Sequence, residues 1–361
     1  MSASVSPAPQ APPLTSRRRF VEACFCGETD RPPLWLMRQA GRALPEYRKL
    51  KEKYTFLELV QQPDLAVEVT LQPIRRFGFD AAILFSDILV IPEALGQPYR
   101  FRETGGVVMD FAVNSRADVD RLSVERVVER LKYADEALRR LRRELGDQTA
   151  LIGFSGSPWT LATFMMEGGS APKYTRALEL FRTDRKTYNA LAEKLTQAIV
   201  RYFEIQLAAG VDALQLFDSH GGHLSAAEFP EASGRWMADI IAALPRARAA
   251  ERAVPVIAFS LGTHGNWSEL VSTGARVLGI DHNFSMTEAR RLLPGTVGLQ
   301  GNLAPSLMSD ATPEQAAAAT RQLLEDMRGR RGYIFNLGHG LTPGAKLENI
   351  AALAETVKSF R

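Results

Sequence analysis

The most constraining feature of the chain is a regular alternation of short apolar runs with longer amphipathic segments. Each run is short enough for a buried parallel strand and ends near a glycine, aspartate, serine or histidine. Repeated strand–helix units predict a parallel sheet, and eight of them favour an α/β fold that is a single (β/α)8 TIM barrel. An open doubly wound sheet is the alternative, but no G-x-G-x-x-G turn follows the first run. The runs are Leu34–Met37, Ala81–Phe85, Ala150–Phe154, Ala213–Phe217, Pro255–Phe259, Val277–Ile280, Thr296–Leu299 and Tyr333–Leu337.

The segments between the runs carry helical patterns. Val124–Leu145 has dense charge pairs four residues apart, and Thr183–Ala209 has apolar residues at helical spacing before Gly210. Pro313–Arg328 follows Thr312, whose side chain suits a helix N-cap. We expect helices over these three segments.

The length of 361 residues would allow two or three domains, but α/β barrels of roughly 200–250 residues often form one domain. The sequence contains no linker-like break after residue 20, so we expect one catalytic barrel domain over residues 17–361. Residues 1–16 contain four prolines and no charged side chain, which predicts a disordered tail.

The charge balance excludes two classes of partner. The chain has 44 Lys and Arg against 41 Asp and Glu, a net charge of +3, so no global field favours nucleic acid or an anionic membrane. No apolar run approaches the length of a membrane span, and no apolar signal segment follows Arg17–Arg19. We therefore expect a cytoplasmic protein with neither a nucleic-acid nor a membrane partner.

The two cysteines, Cys24 and Cys26, are too close together for a disulfide framework, and we expect reduced thiols. A tetrahedral zinc site would need more ligands than this pair supplies. His264, His282 and Asp281, with other histidines, could assemble a metal centre, but neither H-x-H nor H-E-x-x-H occurs. We expect no metal site.

The chemistry of a barrel lies at the carboxyl ends of its strands. Arg38 and Arg42 follow the first run with small residues between them, and their planar guanidiniums could converge on one anionic ligand. A solvated loop or structural ion pairs would explain them otherwise. All the histidines also fall within a few residues of a predicted strand end, which indicates a catalytic barrel: His220, His223, His264, His282 and His339.

Asp87 follows the second run within apolar sequence, where a lone carboxylate is costly unless it is paired or hydrogen-bonded. It could cap a helix or pair with an arginine, or it could face a cation or several N–H donors of a ligand. Glycine pairs after the last two runs, Gly298/Gly301 and Gly338/Gly340, suit either a phosphate site or tight turns.

Taken together, these motifs resemble the uroporphyrinogen decarboxylase family, whose members convert four acetate side chains of a tetrapyrrole to methyl groups. The resemblance runs from about residue 18 to the C-terminus, and the most specific element is MRQAGR followed by LPEY and FSDIL. The matching stretches are Pro33–Arg42, Leu44–Tyr47, Phe77–Leu89, Gly156–Gly169, Leu216–His220, Leu299–Leu303 and Tyr333–Pro343.

The resemblance implies a single (β/α)8 barrel, usually a homodimer, that acts on its polyanionic tetrapyrrole without metal or cofactor. It implies that Arg38 and Arg42 bind substrate carboxylates and that Asp87 binds the pyrrole N–H groups. Arg38, Asp87 and His339 are the implied catalytic residues, with Arg38 and His339 as alternative proton donors. The remaining implied substrate contacts, with Lys51 as a weaker addition, are Gln39, Ala40, Gly41, Phe164 and Ser219.

Three positions depart from the family pattern. Ala43 replaces a tyrosine, Phe164 replaces a substrate-contacting tyrosine, and His282 replaces a tryptophan. Loss of one hydrogen bond at Phe164 is worth about 1 kcal/mol, which predicts a slower enzyme rather than an inactive one. Two other hypotheses stay open: a related corrinoid-dependent methyltransferase with zinc, and a non-catalytic tetrapyrrole-binding protein.

Overall fold

The computed structural model describes residues 14–102, 105–245 and 252–361. Seven parallel strands form a curled sheet in the spatial order β1-β4-β5-β6-β7-β8-β9, and β2 and β3 form a separate antiparallel hairpin. Each neighbouring pair in the main sheet is parallel, as the strand–helix repeat predicts. The strands are β1 (Ala81–Ile83), β2 (Tyr99–Phe101), β3 (Val107–Met109), β4 (Ala150–Gly156), β5 (Ala213–Asp218), β6 (Val256–Ser260), β7 (Val277–Gly279), β8 (Gly298–Leu303) and β9 (Tyr333–Leu337).

The predicted barrel architecture is confirmed, but the first apolar run forms no regular strand. Leu34 makes only an isolated parallel bridge with Phe335 of β9. On its other side, the Leu34 carbonyl accepts a hydrogen bond of 2.8 Å from the backbone N–H of Asp80. The segment therefore lies between the first and last strands of the sheet. It leaves extended structure at Met37, where the chain turns into the Arg38–Arg42 loop.

Helices follow the strands and cover the outside of the sheet. A 3₁₀ turn at Gly221–His223 and a π-helical turn at Pro230–Gly234 interrupt the pattern after β5. Within the described residues, no helix combines the length and apolar character needed to span a bilayer. The helices are α1 (Ser16–Cys24), α2 (Pro45–Lys51), α3 (Phe56–Gln61), α4 (Pro63–Phe77), α5 (Val90–Leu95), α6 (Arg116–Asp120), α7 (Val127–Arg130), α8 (Lys132–Leu145), α9 (Pro158–Glu167), α10 (Thr175–Thr183), α11 (Arg185–Ala208), α12 (Arg235–Ala243), α13 (Trp267–Ser272), α14 (Met286–Leu292), α15 (Ser306–Ser309), α16 (Pro313–Asp326) and α17 (Leu347–Ser359).

The three predicted helices are present with altered boundaries. The first divides into α7 and α8 around Leu131, and the second begins at Arg185 because Asp184 caps it by accepting from the Thr187 N–H. Thr312 opens α16 with a capping box, as expected of this residue type. At the N-terminus, residues 1–13 of the predicted tail lie outside the described residues, and Thr15 caps α1 at Ser16.

Buried ion pairs fasten the amino ends of the strands. Asp80, directly before β1, accepts from Arg19 at 2.8 Å and from Arg31 at 2.7 Å. Asp212, directly before β5, accepts from Arg17 and Arg142, each at 2.7 Å. The Asp80 and Asp212 side chains are 0% and 5% exposed, so these carboxylates are neutralised inside the protein. At this end of the barrel, the charges of the buried carboxylates are therefore balanced by arginines of the same chain.

Candidate active site

A cavity of about 380 Å³ opens at the carboxyl ends of the strands, at the opposite end from these ion pairs. Its wall joins the loop after the first apolar run, the loop after β1, the β2–β3 hairpin and the ends of β4, β5 and β9. The lining residues are Met37, Arg38, Ala40, Gly41, Arg42, Tyr47, Phe56, Ile83, Leu84, Phe85, Ser86, Asp87, Ile88, Phe101, Phe154, Phe217, Ser219 and His339. Most of the sequence-predicted site residues therefore share one cavity.

The Arg38–Arg42 loop, or arginine loop, has an unusual backbone conformation. Arg38 and Arg42 have φ angles of 61° and 31°, and Gly41 between them has φ of 98°. Residues other than glycine seldom adopt a positive φ angle, and such backbone strain is concentrated at functional sites. The loop is held from beneath by Gln39, whose side chain donates to the Ala81 carbonyl at 3.0 Å and accepts from the Leu36 N–H at 3.0 Å.

The two guanidiniums lack protein counter-ions. Both side chains are accessible to the cavity, and in the described part of the chain neither forms an ion pair with a carboxylate. Desolvation and the neighbouring charge of Arg42 lower the pKa of Arg38 to about 10, although Asp87 opposes the shift. Arg38 is still cationic at neutral pH. An anionic ligand could therefore form ion pairs with both guanidiniums.

Asp87 lies in the loop after β1 and, like the two arginines, has few partners within the protein. Its Oδ1 accepts one hydrogen bond, of 2.8 Å, from the Leu89 N–H. Burial raises the pKa of Asp87 above its ordinary range, while the Leu89 hydrogen bond and the charges of Arg38 and Arg42 oppose that shift. The carboxylate can therefore accept further N–H donors from a ligand.

His339 and Ser219 complete the polar lining from β9 and β5. Desolvation, followed by the positive charges of Arg38 and neighbouring groups, lowers the pKa of His339 to about 4. Its imidazole is thus neutral at neutral pH in the unliganded protein. A neutral imidazole can donate one hydrogen bond and accept another.

Aromatic rings form much of the remaining wall. Phe56 packs edge-on against Phe85 and Phe101 with centroid separations of 5.4 and 4.9 Å, and Tyr47 packs on Phe85 at 5.6 Å. Phe101 is 42% exposed although it belongs to this cluster. Such a wall suits the apolar faces of a flat ring system. Phe56 and Phe101 carry no sequence signal, because only the tertiary fold brings α3 and the hairpin to the cavity.

Three expected contacts lie elsewhere. The Gln39 side chain is buried in the fold beneath the loop, and only its neighbours line the cavity. Phe164 lies on α9 outside the lining and packs against Tyr174 and His220 with centroid separations of 6.0 and 4.9 Å. Lys51 is exposed at the end of α2, also outside the lining. Direct substrate contact by these three residues remains a prediction.

All the histidines follow strand ends, as expected, but only His339 lines the cavity. His264 instead pairs with buried Asp281, its Nε2 lying 2.6 Å from Oδ2. His220 contacts Thr163 through Nδ1 at 2.6 Å and stacks near Tyr174. Among the described residues, no three His, Cys, Asp or Glu side chains group as a metal site would require.

Asp218, at the end of β5, shows that a strand-end carboxylate can be structural. It is fully buried and accepts from four hydroxyl groups at 2.7–2.9 Å. These donors tie the end of β5 to α9, the π-helical turn and β6. Four donors satisfy the Asp218 carboxylate within the fold, and Asp218 is not among the residues that line the cavity. The donors are Ser157, Thr160, Ser233 and Ser260.

Residues 15–360 match the family model described as uroporphyrinogen decarboxylase (URO-D). The uroporphyrinogen decarboxylase of Magnetococcus marinus is 40% identical over 96% of this chain and 97% of its own. That of Thioalkalivibrio sulfidiphilus is 43% identical over 94% of this chain and 96% of its own. The chain belongs to the uroporphyrinogen decarboxylase family.

A solved methyltransferase from Methanosarcina mazei has the same fold as this family member. It superposes with a TM-score of 0.78 over 96% of this chain and 99% of its own, at 16% identity. At that identity the likeness concerns the fold alone. The cysteines lie far from the cavity, since Cys26 packs against Gly332, directly before the amino end of β9.

The structure shows the surroundings of the three residues that depart from the family pattern. Ala43 is buried beside the arginine loop, where a small side chain packs into the core. Phe164 places its ring against His220, so the neighbouring polar atoms belong to His220 and Tyr174. The Nδ1 of His282 lies 3.4 Å from the Gly338 carbonyl, next to His339. None of the three removes a charged group from the cavity.

Proposed function

We propose that this chain decarboxylates the acetate side chains of uroporphyrinogen III to give coproporphyrinogen III, as a carboxy-lyase of porphyrin biosynthesis. One observation carries the proposal: Arg38 and Arg42 form no ion pair within the described residues, and they share an aromatic-walled cavity with Asp87. The ligand must be anionic at its edge and must carry N–H donors at its centre. A porphyrinogen with carboxylate side chains meets both requirements.

The binding step assigns a role to each cavity group. Arg38 and Arg42 pair with substrate carboxylates, with Ala40 and Gly41 beside them, and Asp87 accepts from the pyrrole N–H groups. Ser219 and His339, which also line the cavity, supply further hydrogen bonds. The rings of Phe56, Phe85 and Phe101 cover the apolar face of the macrocycle.

The chemical step needs an electron sink. A proton added to a pyrrole carbon next to the acetate-bearing carbon makes the ring cationic. The bond to the carboxylate then breaks, CO2 leaves, and the electron pair forms an exocyclic double bond that neutralises the ring. Protonation of this methylene gives the methyl group, and loss of the first proton restores the pyrrole. Because the pyrrole itself is the sink, the proposal requires no cofactor.

Asp87 stabilises the cationic ring electrostatically, since it is a fixed carboxylate in a poorly solvated position. Arg38 is the better of the two candidate proton donors. Its pKa is lowered to about 10, which makes it a stronger acid than an ordinary arginine, whereas His339 at about 4 is already deprotonated at neutral pH. Substrate carboxylates would raise both pKa values, but Arg38 carries its proton before the substrate binds, whereas His339 must first acquire one.

The deciding experiment is an anaerobic turnover assay on uroporphyrinogen III with EDTA-treated protein, in which products are separated by carboxyl number. The proposal expects stepwise loss of four carboxyl groups, strongly reduced by Asp87→Asn and unchanged by Asp147→Asn, whose side chain is 87% exposed at the opposite end. Tight binding without CO2 release would instead indicate a tetrapyrrole-binding protein. Activity that depends on added zinc would favour the methyltransferase hypothesis.

Oligomeric state and location are also part of the proposal. The family resemblance supports a homodimer, and the proposal includes a cytoplasmic location, where the thiols of Cys24 and Cys26 would stay reduced. Light scattering of the purified protein tests the first expectation, and fractionation of the source cells tests the second.

A further inference from the structure

Gly340 lies beside the Arg38 side chain in a space that admits no side chain of its own. A Cβ atom at Gly340 would be 2.3 Å from Cδ of Arg38, 2.7 Å from Cγ and 2.9 Å from Nε. Real Cβ atoms essentially never approach other heavy atoms below 3.0 Å. The stem of Arg38 therefore occupies the volume that any larger residue would fill.

The backbone of Gly340 does not itself require glycine. It is not among the described glycines with positive φ, so alanine is compatible with its conformation. Gly41 differs in this respect, because its φ of 98° demands glycine whatever the surrounding space. At Gly340, the contact with Arg38 is what excludes a methyl group.

The arginine loop cannot simply move away from an added methyl group. The Met37 N–H donates to Oδ1 of Asn336 at 2.8 Å, and the Met37 carbonyl accepts from the Leu341 N–H at 2.9 Å. Both hydrogen bonds fasten the residue before Arg38 to the same segment that carries Gly340. The strain would have to be relieved within the Arg38 side chain, which displaces its guanidinium.

We propose that Gly340 is a positioning residue: its missing side chain sets where the Arg38 guanidinium lies relative to His339 and the substrate carboxylate. The inference deepens the proposed function and rests on it for the identity of the ligand. A displacement of about 1 Å in a positioned group can cost on the order of 10²-fold in rate. Gly340→Ala should therefore lower kcat/KM by one to two orders of magnitude.

Gly344→Ala is the matched control on the same loop. Its added Cβ would lie 4.0 Å from the nearest side-chain atom, the Cβ of Ser309, and it is not among the glycines of positive φ. We expect it to match the wild type in kcat, KM and thermal midpoint. A loss equal to that of Gly340→Ala would overturn the inference, because it would show that any methyl group on this loop is harmful.

A double-mutant cycle with Arg38→Ala separates this role from a direct effect on His339. Removal of the Arg38 stem frees the space, so Gly340→Ala should lower both uroporphyrin affinity and thermal stability in the wild type but change neither in Arg38→Ala. Equal losses in both backgrounds would overturn the inference. The stability arm uses no ligand, so it decides the role of Gly340 even if the wild type fails to decarboxylate uroporphyrinogen. A crystal structure of Gly340→Ala with an unmoved guanidinium would also contradict it.

Discussion

The two ends of the barrel treat charge in opposite ways. At the amino ends of the strands, Asp80 and Asp212 are each bound by two arginines and one backbone N–H. At the carboxyl ends, Arg38, Arg42 and Asp87 share a cavity and form no direct ion pairs with any residue that the structure describes. Similar residue types thus give a fastening at one end and a binding site at the other.

The two ends differ in the partners that the protein supplies: the carboxylates at the amino ends are bound by arginines, whereas Asp87 accepts a single hydrogen bond, from the Leu89 N–H. Asp218 also lies at the carboxyl end, yet it is satisfied by four hydroxyl groups. Removal of the partner of a buried charge destabilises the folded state. A charge that has no partner within the protein can instead form an ion pair with a bound ligand.

Asp80→Ala should cause the largest change in stability. Its removal leaves the guanidiniums of Arg19 and Arg31 buried without this partner, which costs about 3–5 kcal/mol in comparable buried pairs. Urea denaturation measures the free energy of unfolding. Asp147→Ala removes an 87% exposed partner of Arg17 and should change it by less than about 1 kcal/mol. Equal effects of the two substitutions would break the comparison.

Asp87→Asn should lower kcat by about 10² to 10³-fold, the usual cost of removing one electrostatic stabiliser. Its effect on stability should have the opposite sign to that of Asp80→Ala. Because burial raises the pKa of Asp87, the folded state binds a proton more readily than the unfolded chain, and ionisation at higher pH costs stability. A neutral asparagine removes that cost at pH 7. A variant with the kcat of the wild type, or with lower stability than the wild type, would contradict the assignment.

His339→Gln should make the protein less sensitive to acid. The pKa of His339 is lowered from the usual value near 6.5 to about 4, so between these pH values the unfolded chain binds a proton that the folded state does not. Stability from this group is present above pH 6.5 and is lost as the pH falls toward 4. Thermal midpoints over that range should fall less steeply in the variant. Parallel curves would show that His339 does not titrate as inferred.

Phe101→Ala should have the smallest effect, confined to substrate binding. The ring is 42% exposed and lines the cavity, so a bound macrocycle would cover apolar area worth about 1 kcal/mol. We expect KM to rise about fivefold with little change in kcat. Val128→Ala, at a residue 46% exposed on α7, is the control and should change neither. A fall in kcat alone would assign Phe101 a different role.

The sequence predicts the barrel and the polar core of its site well. The alternation of apolar runs locates the strands because buried parallel strands must be apolar along their length, and seven of eight runs form strands. The first run fails because only Leu34 makes a bridge before the chain turns at Arg38. Arg38, Asp87 and His339 share a cavity because residues that follow the apolar runs fall at one end of a barrel, and their roles toward a substrate stay predictions.

Sequence patterns did not predict the aromatic wall of the cavity or the position of the Phe164 ring. Phe56 and Phe101 are separated by 45 positions along the chain, and only the packing of α3 against the hairpin brings their rings to 4.9 Å. Phe164 belongs to a family motif, yet its ring packs against Tyr174 and is not among the residues that line the cavity. Long-range packing decides such orientations, and a linear pattern does not encode them.

The sequence by itself determined the order of strands and helices and the residue types available at each strand end, because both depend on local apolar and polar spacing. Tertiary structure decided which of these residues have partners. Asp80, Asp87 and Asp218 are the same residue type within or beside apolar sequence, and nothing local distinguishes them. They differ because folding brings arginines to the first, hydroxyl groups to the third, and an open cavity to the second.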